Sequence, residues 1–249
     1  MLVLLPPSET KRSGGDNSPL DLDALAFPSL FAQRAAVTDA LVALSAEPDA
    51  AARVLKLSDR QRGEIADNAA LRSSPTMPAI DRYTGVLFDA VDAATLTSAG
   101  RRWLGAHVMI HSAPFGPVGA LDRLPTYRLA AGASLPGVAP LRRVWADAVS
   151  SALAHAAPPF VIDLRSEAYV ALGPVPAGVP SVYVRVVTEE EGAAVRALNH
   201  FNKHAKGAFV RALAEGRPTV HTAAGLCRWA QARGWMLRGG RPGELDLVV

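Results

Sequence analysis

Two short apolar runs constrain this chain most. Residues 1–5 (Met-Leu-Val-Leu-Leu) are continuously β-prone and stop at Pro6 and Pro7, and residues 160–164 (Phe-Val-Ile-Asp-Leu) are almost as apolar. Unbroken runs of this length, bounded by turn signals, read as strands buried in a sheet rather than as strands with one wet face. Helical spacing separates them. Apolar residues recur at Leu30, Ala36, Val37, Leu41 and Leu44, a second helix is expected from the N-cap candidate Ser58, and residues 141–155 are a third. The expected architecture is α/β, a mixed central sheet flanked by helices, and 249 residues can close as a single domain, 1–249.

The rest of the chain fills in that picture. Residues 11–19 are polar and Gly/Ser-rich, which predicts a mobile surface loop. Residues 107–111 read as a strand, and the Gly/Pro-dense stretch 113–140 as a long loop of the kind that carries function. Residues 181–187 alternate, and the Glu-Glu-Glu-Gly turn at 189–192 predicts a hairpin with a partner strand at 194–198. Helices are expected at 203–214 and 222–233, followed by a terminal hairpin from 235–238 and 245–249.

Composition removes several function classes. Cys227 is the only cysteine, so an intrachain disulfide and a Cys-rich zinc or iron-sulfur site are excluded within one chain. The five-residue N-terminal run has no basic flank and is far too short to span a bilayer, so a cytoplasmic protein without a membrane partner is expected. His107 and His111 have i, i+4 spacing, but on a strand-like segment and without a third ligand they read as structural. No metal and no cofactor is expected.

The formal net charge of +3 is too small to imply nucleic acid by itself, so local clusters must carry any such reading. Lys11, Lys56, Lys203 and Lys206 are the only lysines in an arginine-rich chain, and two of them fall within His200 to Gly207. An ammonium group there suits phosphate contact or proton transfer, and the alternative is a solvated helix start. Residues 114–119 and 135–140 are similar to the hairpin of helix-hairpin-helix DNA-binding elements, whose glycines let backbone N–H groups approach a phosphate. The second precedes a helix bearing Arg142 and Arg143; an ordinary loop is the alternative for both.

Taken in order, several blocks resemble the YaaA family across nearly the whole chain. They are the strand followed by Pro6 to Lys11, the Tyr83-Thr84-Gly85 triplet, His111 to Gly116 with Leu121-Asp122, and Tyr127-Arg128-Leu129. Trp145, the Val161 to Tyr169 segment and Lys203 to Gly207 complete the set. Gly119-Ala120, Asp163 and His204 depart from the family pattern, which marks a divergent branch. The resemblance implies a YaaA-type α/β fold with a helix-hairpin-helix-like element, binding of duplex DNA, and a role in limiting iron-mediated DNA damage under peroxide stress.

Two functions follow as expectations. In the first, Lys11, Arg128, Lys203 and Lys206 line a phosphate path for duplex DNA, with His204 beside them. In the second, the family blocks gather Ser8, Glu9, Tyr83, Thr84, Ser112, Tyr127, Ser166, Glu167, Tyr169 and Lys203 into a pocket for a small-molecule ligand, and the protein is an enzyme acting on a nucleobase, nucleoside or similar metabolite. Glu9 or Glu167 would then be the general acid or base, with Ser166 beside them, and Lys203 an electrostatic stabiliser or nucleophile. A concave pocket holding both Lys203 and Glu167 favours the enzyme; a basic groove as wide as a duplex favours binding.

Overall fold

Strand β1 (Leu2–Leu5) opens the chain, and Val3, Leu4 and Leu5 are buried, as an unbroken apolar run requires. Pro6 and Pro7 lack the N–H that would extend the ladder, so the strand ends there. The computed structural model describes residues 1–188 and 195–249, and side chains throughout except at 195–199. Helices α1 (Phe31–Ser45), α2 (Pro48–Leu55) and α3 (Glu64–Ala69) follow, then strand β2 (Met77–Pro78) and helices α4 (Ala79–Arg82), α5 (Val86–Val91) and α6 (Ser98–His107). Next come β3 (Val108–Ser112), β4 (Gly116–Gly119), β5 (Arg123–Leu124), α7 (Leu141–Ala156), β6 (Val161–Asp163) and α8 (Glu167–Ala171). Strand β7 (Ser181–Val187), helices α9 (Val195–Gly216) and α10 (Ala223–Gln231) and strands β8 (Met236–Gly239) and β9 (Glu244–Val248) complete the chain.

Seven strands form one mixed sheet in the order β4-β3-β1-β6-β7-β9-β8. The five central strands run parallel, and the two edge strands, β4 and β8, pair antiparallel to β3 and β9. One continuous hydrophobic core packs the helices against this sheet. The chain passes from β1 to β3 on one side and later returns to β6 on the other. The carboxyl ends of β1 and β6 therefore flank a topological switch point, the place where open α/β sheets leave a crevice.

Several expectations are corrected. The stretch 113–140 contains β4 and β5, so the first hairpin-like segment, 114–119, is mostly a buried edge strand rather than a phosphate-binding loop. Gly116 has φ +64°, and a Cβ on it would lie 2.9 Å from the Trp145 ring, so close packing explains this glycine. The segment 135–140 is a turn leading into α7, with Arg142 and Arg143 exposed. Ser58 heads a single 3₁₀ turn, Asp59–Gln61, closed by a capping box with Gln61, and α2 precedes it unforeseen. The partner strand at 194–198 is overturned where it is described, since 195–198 begin α9; the turn at 189–192 lies outside the described residues. Strand β7 pairs instead in parallel with β6 and β9.

The loop 11–19 is exposed as expected, yet it is pinned. Buried Arg82 donates to the carbonyls of Arg12, Gly14 (2.9 Å), Pro75 (3.0 Å) and Leu124 (3.0 Å). Arg34 ties the 25–27 turn to β4 in the same way, through the carbonyls of Ala26 (2.6 Å), Phe115 (2.9 Å) and Pro117 (3.0 Å). Among the described residues, no helix is long and apolar enough to cross a membrane.

Candidate functional site

A cleft of about 1000 Å³ opens at the switch point. The loop after β1 supplies Pro6 to Thr10, Ser166 and the first turn of α8 supply residues 166–169, and the turn before α5 adds Thr84 and Gly85. Tyr127 and residues 129–132 form another wall, β7 contributes Tyr183, and α9 contributes Asn202, Lys203 and Lys206. A volume of that order holds a nucleotide-sized molecule. Residues 202, 203 and 206 share one face of α9 because neighbours three and four apart lie side by side on a helix.

Tyr127 in the floor is backed by a chain of buried hydroxyls. The Ser112 hydroxyl, fully buried, donates to Tyr127 Oη at 2.9 Å, and the Tyr83 and Tyr127 hydroxyls share a 2.6 Å hydrogen bond. Burial pushes both phenols up, so they stay protonated. Lys11 lies behind this floor, its Nζ 4.0 Å from the Tyr127 ring centre and donating to the carbonyls of Ser8 and Glu9, each at 3.2 Å. Burial, with Arg128 adding to the effect, brings its ammonium down to about 7. Arg128 is engaged by Glu9 at 3.1 Å and Glu64 at 3.4 Å.

The wall beside β6 is set by a buried clamp. Arg165 Nε and Nη2 fork onto Asp163 at 2.9 and 2.6 Å, and Nη1 donates to His111 Nδ1 at 2.9 Å and to the Gly173 carbonyl at 2.8 Å. A guanidinium only donates, so Nδ1 accepts and the ring is neutral with its proton on Nε2. Burial and the Arg165 charge both hold His111 well below the usual histidine range. Next to this clamp, the backbone carbonyls of Leu164 and Arg165 accept from side chains that line the cleft. Lys206 Nζ donates to the first at 2.9 Å and lies 3.5 Å from the second, which also accepts from Tyr183 Oη at 3.0 Å. Desolvation lowers Lys206 to about 8, against the attraction of Asp163.

Of the residues singled out by sequence, Ser8, Glu9, Thr84, Tyr127, Ser166, Glu167, Tyr169, Lys203 and Lys206 line the cleft. Tyr83, Ser112, Lys11 and Arg128 form the layer behind it. His204 is exposed on α9 away from the lining. Lys203 shares the cleft with Glu167, but it lies within α9 rather than opening a helix. Sequence reasoning missed Thr10, Tyr183, Asn202 and the Asp163–Arg165 clamp. Asp163 was the visible signal, a charge inside an apolar strand, which needs a buried partner. His107 Nδ1 donates to the Met1 carbonyl at 2.9 Å, and among the described residues no group of three or more His, Cys, Asp or Glu could hold a metal.

Comparison with known proteins covers the whole site. The profile of a family described as "Peroxide stress protein YaaA" matches residues 1–238. A UPF0246 protein of Corynebacterium efficiens is 43% identical over 100% of both chains, and one of Corynebacterium glutamicum strain R is 44% identical over 94% of this chain and 93% of its own. A UPF0246 protein of Streptomyces coelicolor is 38% identical, with 100% of this chain and 98% of the relative covered.

Proposed function

We propose, from the premise that this chain belongs to the peroxide stress protein YaaA family, that it is a cytoplasmic enzyme whose cleft takes a nucleobase, nucleoside or similar small metabolite. The observation that carries this reading is the cleft itself: a concave site of about 1000 Å³ that holds Lys203, Lys206 and Glu167 together with three tyrosines. Tyrosine faces and hydroxyls suit a planar polar molecule, the lysines suit a phosphate or carboxylate on it, and Glu167 is available for proton transfer. A desolvated lysine in a cleft is a recurrent mark of a reactive site. In the family's setting the reaction would contribute to limiting peroxide damage. Thermal-shift measurements against nucleobases, nucleosides and nucleoside monophosphates test the reading. A rise in melting temperature for one class is expected, and no rise for any of them sinks it.

A second reading, binding of duplex DNA to limit iron-mediated damage, is favoured by a separate surface. The 135–140 turn carries Gly137 at φ +74° with open space around it, and Arg142 and Arg143 are exposed just beyond. Contacts of this kind hold the phosphate backbone with little sequence preference and weaken as salt rises. Fluorescence anisotropy at low salt should show binding that the double variant Arg142→Ala/Arg143→Ala reduces. Equal binding by both proteins removes this surface from the reading.

A further inference from the structure

Lys206 differs from the other lysines in its surroundings. Lys11 lies behind the tyrosine floor, while Lys203 is exposed and makes no ion pair among the described residues. Lys206 lines the cleft, is largely shielded from water, and has its Nζ held by a carbonyl rather than by a carboxylate. Among the described residues no carboxylate forms an ion pair with it, and Asp163 acts on it only at longer range. Tyr183 Oη and Lys206 Nζ converge on the same acceptor, the Arg165 carbonyl, so a phenol hydroxyl stands close to the amine. A shielded amine lining a cleft that also holds a carboxylate, Glu167, and beside a proton donor, is the arrangement that carbonyl condensation needs.

We propose that Lys206 is a nucleophile that forms an imine with the aldehyde of a small anionic substrate, with Tyr183 as its proton partner and Lys203 holding the anion. This deepens the enzyme reading by naming the reacting group, and it rests on the same cleft. The neutral amine attacks the carbonyl carbon, the C=O π bond breaks, and a proton moves from nitrogen to oxygen to give a carbinolamine. The C–O bond then breaks with a proton from Tyr183, water leaves, and the iminium returns its proton to the tyrosinate. Amine plus aldehyde thus become imine plus water, with no oxidant or reductant. Desolvation leaves a substantial neutral fraction of Lys206 near pH 8, where an exposed lysine is almost fully charged. Burial keeps the Tyr183 phenol protonated until the leaving group needs the proton. Lys203, three residues earlier on the same face of α9, supplies a point charge suited to a phosphate.

The test uses the full chain with pyridoxal 5′-phosphate and glyceraldehyde 3-phosphate as anionic aldehydes and propanal as the uncharged control, each trapped with borohydride. Peptide mass spectrometry should find Lys206 enlarged by the aldehyde's mass less one oxygen, at least tenfold ahead of Lys203 and Lys56 with the anionic probes. Lys206→Met should remove that adduct, and Tyr183→Phe should slow its formation while leaving the melting temperature within a few degrees. Lys203→Ala should reduce trapping of the anionic probes and not of propanal. Labelling that follows exposure, with Lys203 and Lys56 ahead of Lys206, overturns the inference without needing any variant to fold. Propanal trapped as well as the phosphates overturns the anionic class. Trapping at Lys206 without a thermal shift for any nucleobase compound would leave this inference standing and remove the nucleobase substrate; the reverse result would remove the imine alone.

Discussion

Gly207 follows Lys206 on α9, and the structure says what replacing it should do. A Cβ built there would lie 2.1 Å from the Leu87 carbonyl oxygen and 2.8 Å from the Ala90 Cβ, both on α5. Ordinary contact begins near 3.4 Å, so α5 and α9 must separate by roughly 1.3 Å at this point (3.4 less 2.1). No rotamer change relieves a clash with backbone. Overpacking of this kind costs about 3 kcal/mol, at the upper end of its usual range. Alanine recovers about 1 kcal/mol of helix propensity, which leaves a net loss of about 2 kcal/mol. For a chain of this size that corresponds to a fall of about 4–8 °C in melting temperature. Scanning calorimetry and urea titration measure it, with Gly63→Ala as control because Gly63 has open space and an ordinary φ of −59°. The control should be neutral or slightly stabilising. If Gly207→Ala matches or exceeds the wild type in stability, the close approach of the two helices that sets Lys203 and Lys206 against the cleft is wrong.

Asp163→Ala leaves the Arg165 charge, 1% exposed, without its partner, and should cost about 3–5 kcal/mol; an unchanged urea midpoint would contradict the clamp. Lys11 titrates near 7 in the folded protein against an unfolded value near 10.5. Its burial penalty is therefore present in full below pH 7, and between pH 7 and 10.5 the unfolded chain binds more protons, so stability rises with pH. Lys11→Met should flatten that rise relative to the wild type, and parallel stability-against-pH curves would refute the assignment. Deleting the gene in its host should raise sensitivity to hydrogen peroxide, and an iron chelator should relieve it; equal survival across doses would detach this branch from the stress role.

The parts of the fold that were legible are those whose local pattern agrees with their tertiary setting. The apolar runs at β1 and β6, the 141–155 helix, the Thr222-capped α10 and the terminal hairpin all emerge where expected. Strand β4 was hidden because Gly-Pro-Val-Gly has little β propensity; pairing with β3 makes it a strand. The first turn of α9 was misread because a Glu-Glu-Glu-Gly run followed by apolar residues imitates a hairpin. The meeting of Lys203 with Glu167 was legible from the strand end before Glu167, although Lys203 reaches the cleft from within α9 and not from a helix start that follows a hairpin. Which of the two lysines lining the cleft is desolvated was not legible. That depends on the carbonyls that Arg165 holds in place and on Tyr183, which enters through the parallel pairing of Tyr183 with Asp163. Arg128 likewise reads as a phosphate contact by residue type, and only three-dimensional proximity shows it paired to Glu9 and Glu64.

On the enzyme reading, the switch-point cleft is the working site for a small molecule. Isothermal titration of nucleobases, nucleosides and nucleoside monophosphates into wild type, Glu167→Gln and Lys206→Met tests it most directly. One-to-one binding of one class to the wild type is expected, weakened at least about tenfold in Lys206→Met through the loss of about one hydrogen bond between its amine and the ligand. Binding of equal strength in all three proteins, or none to the wild type by any member of the panel, would contradict it.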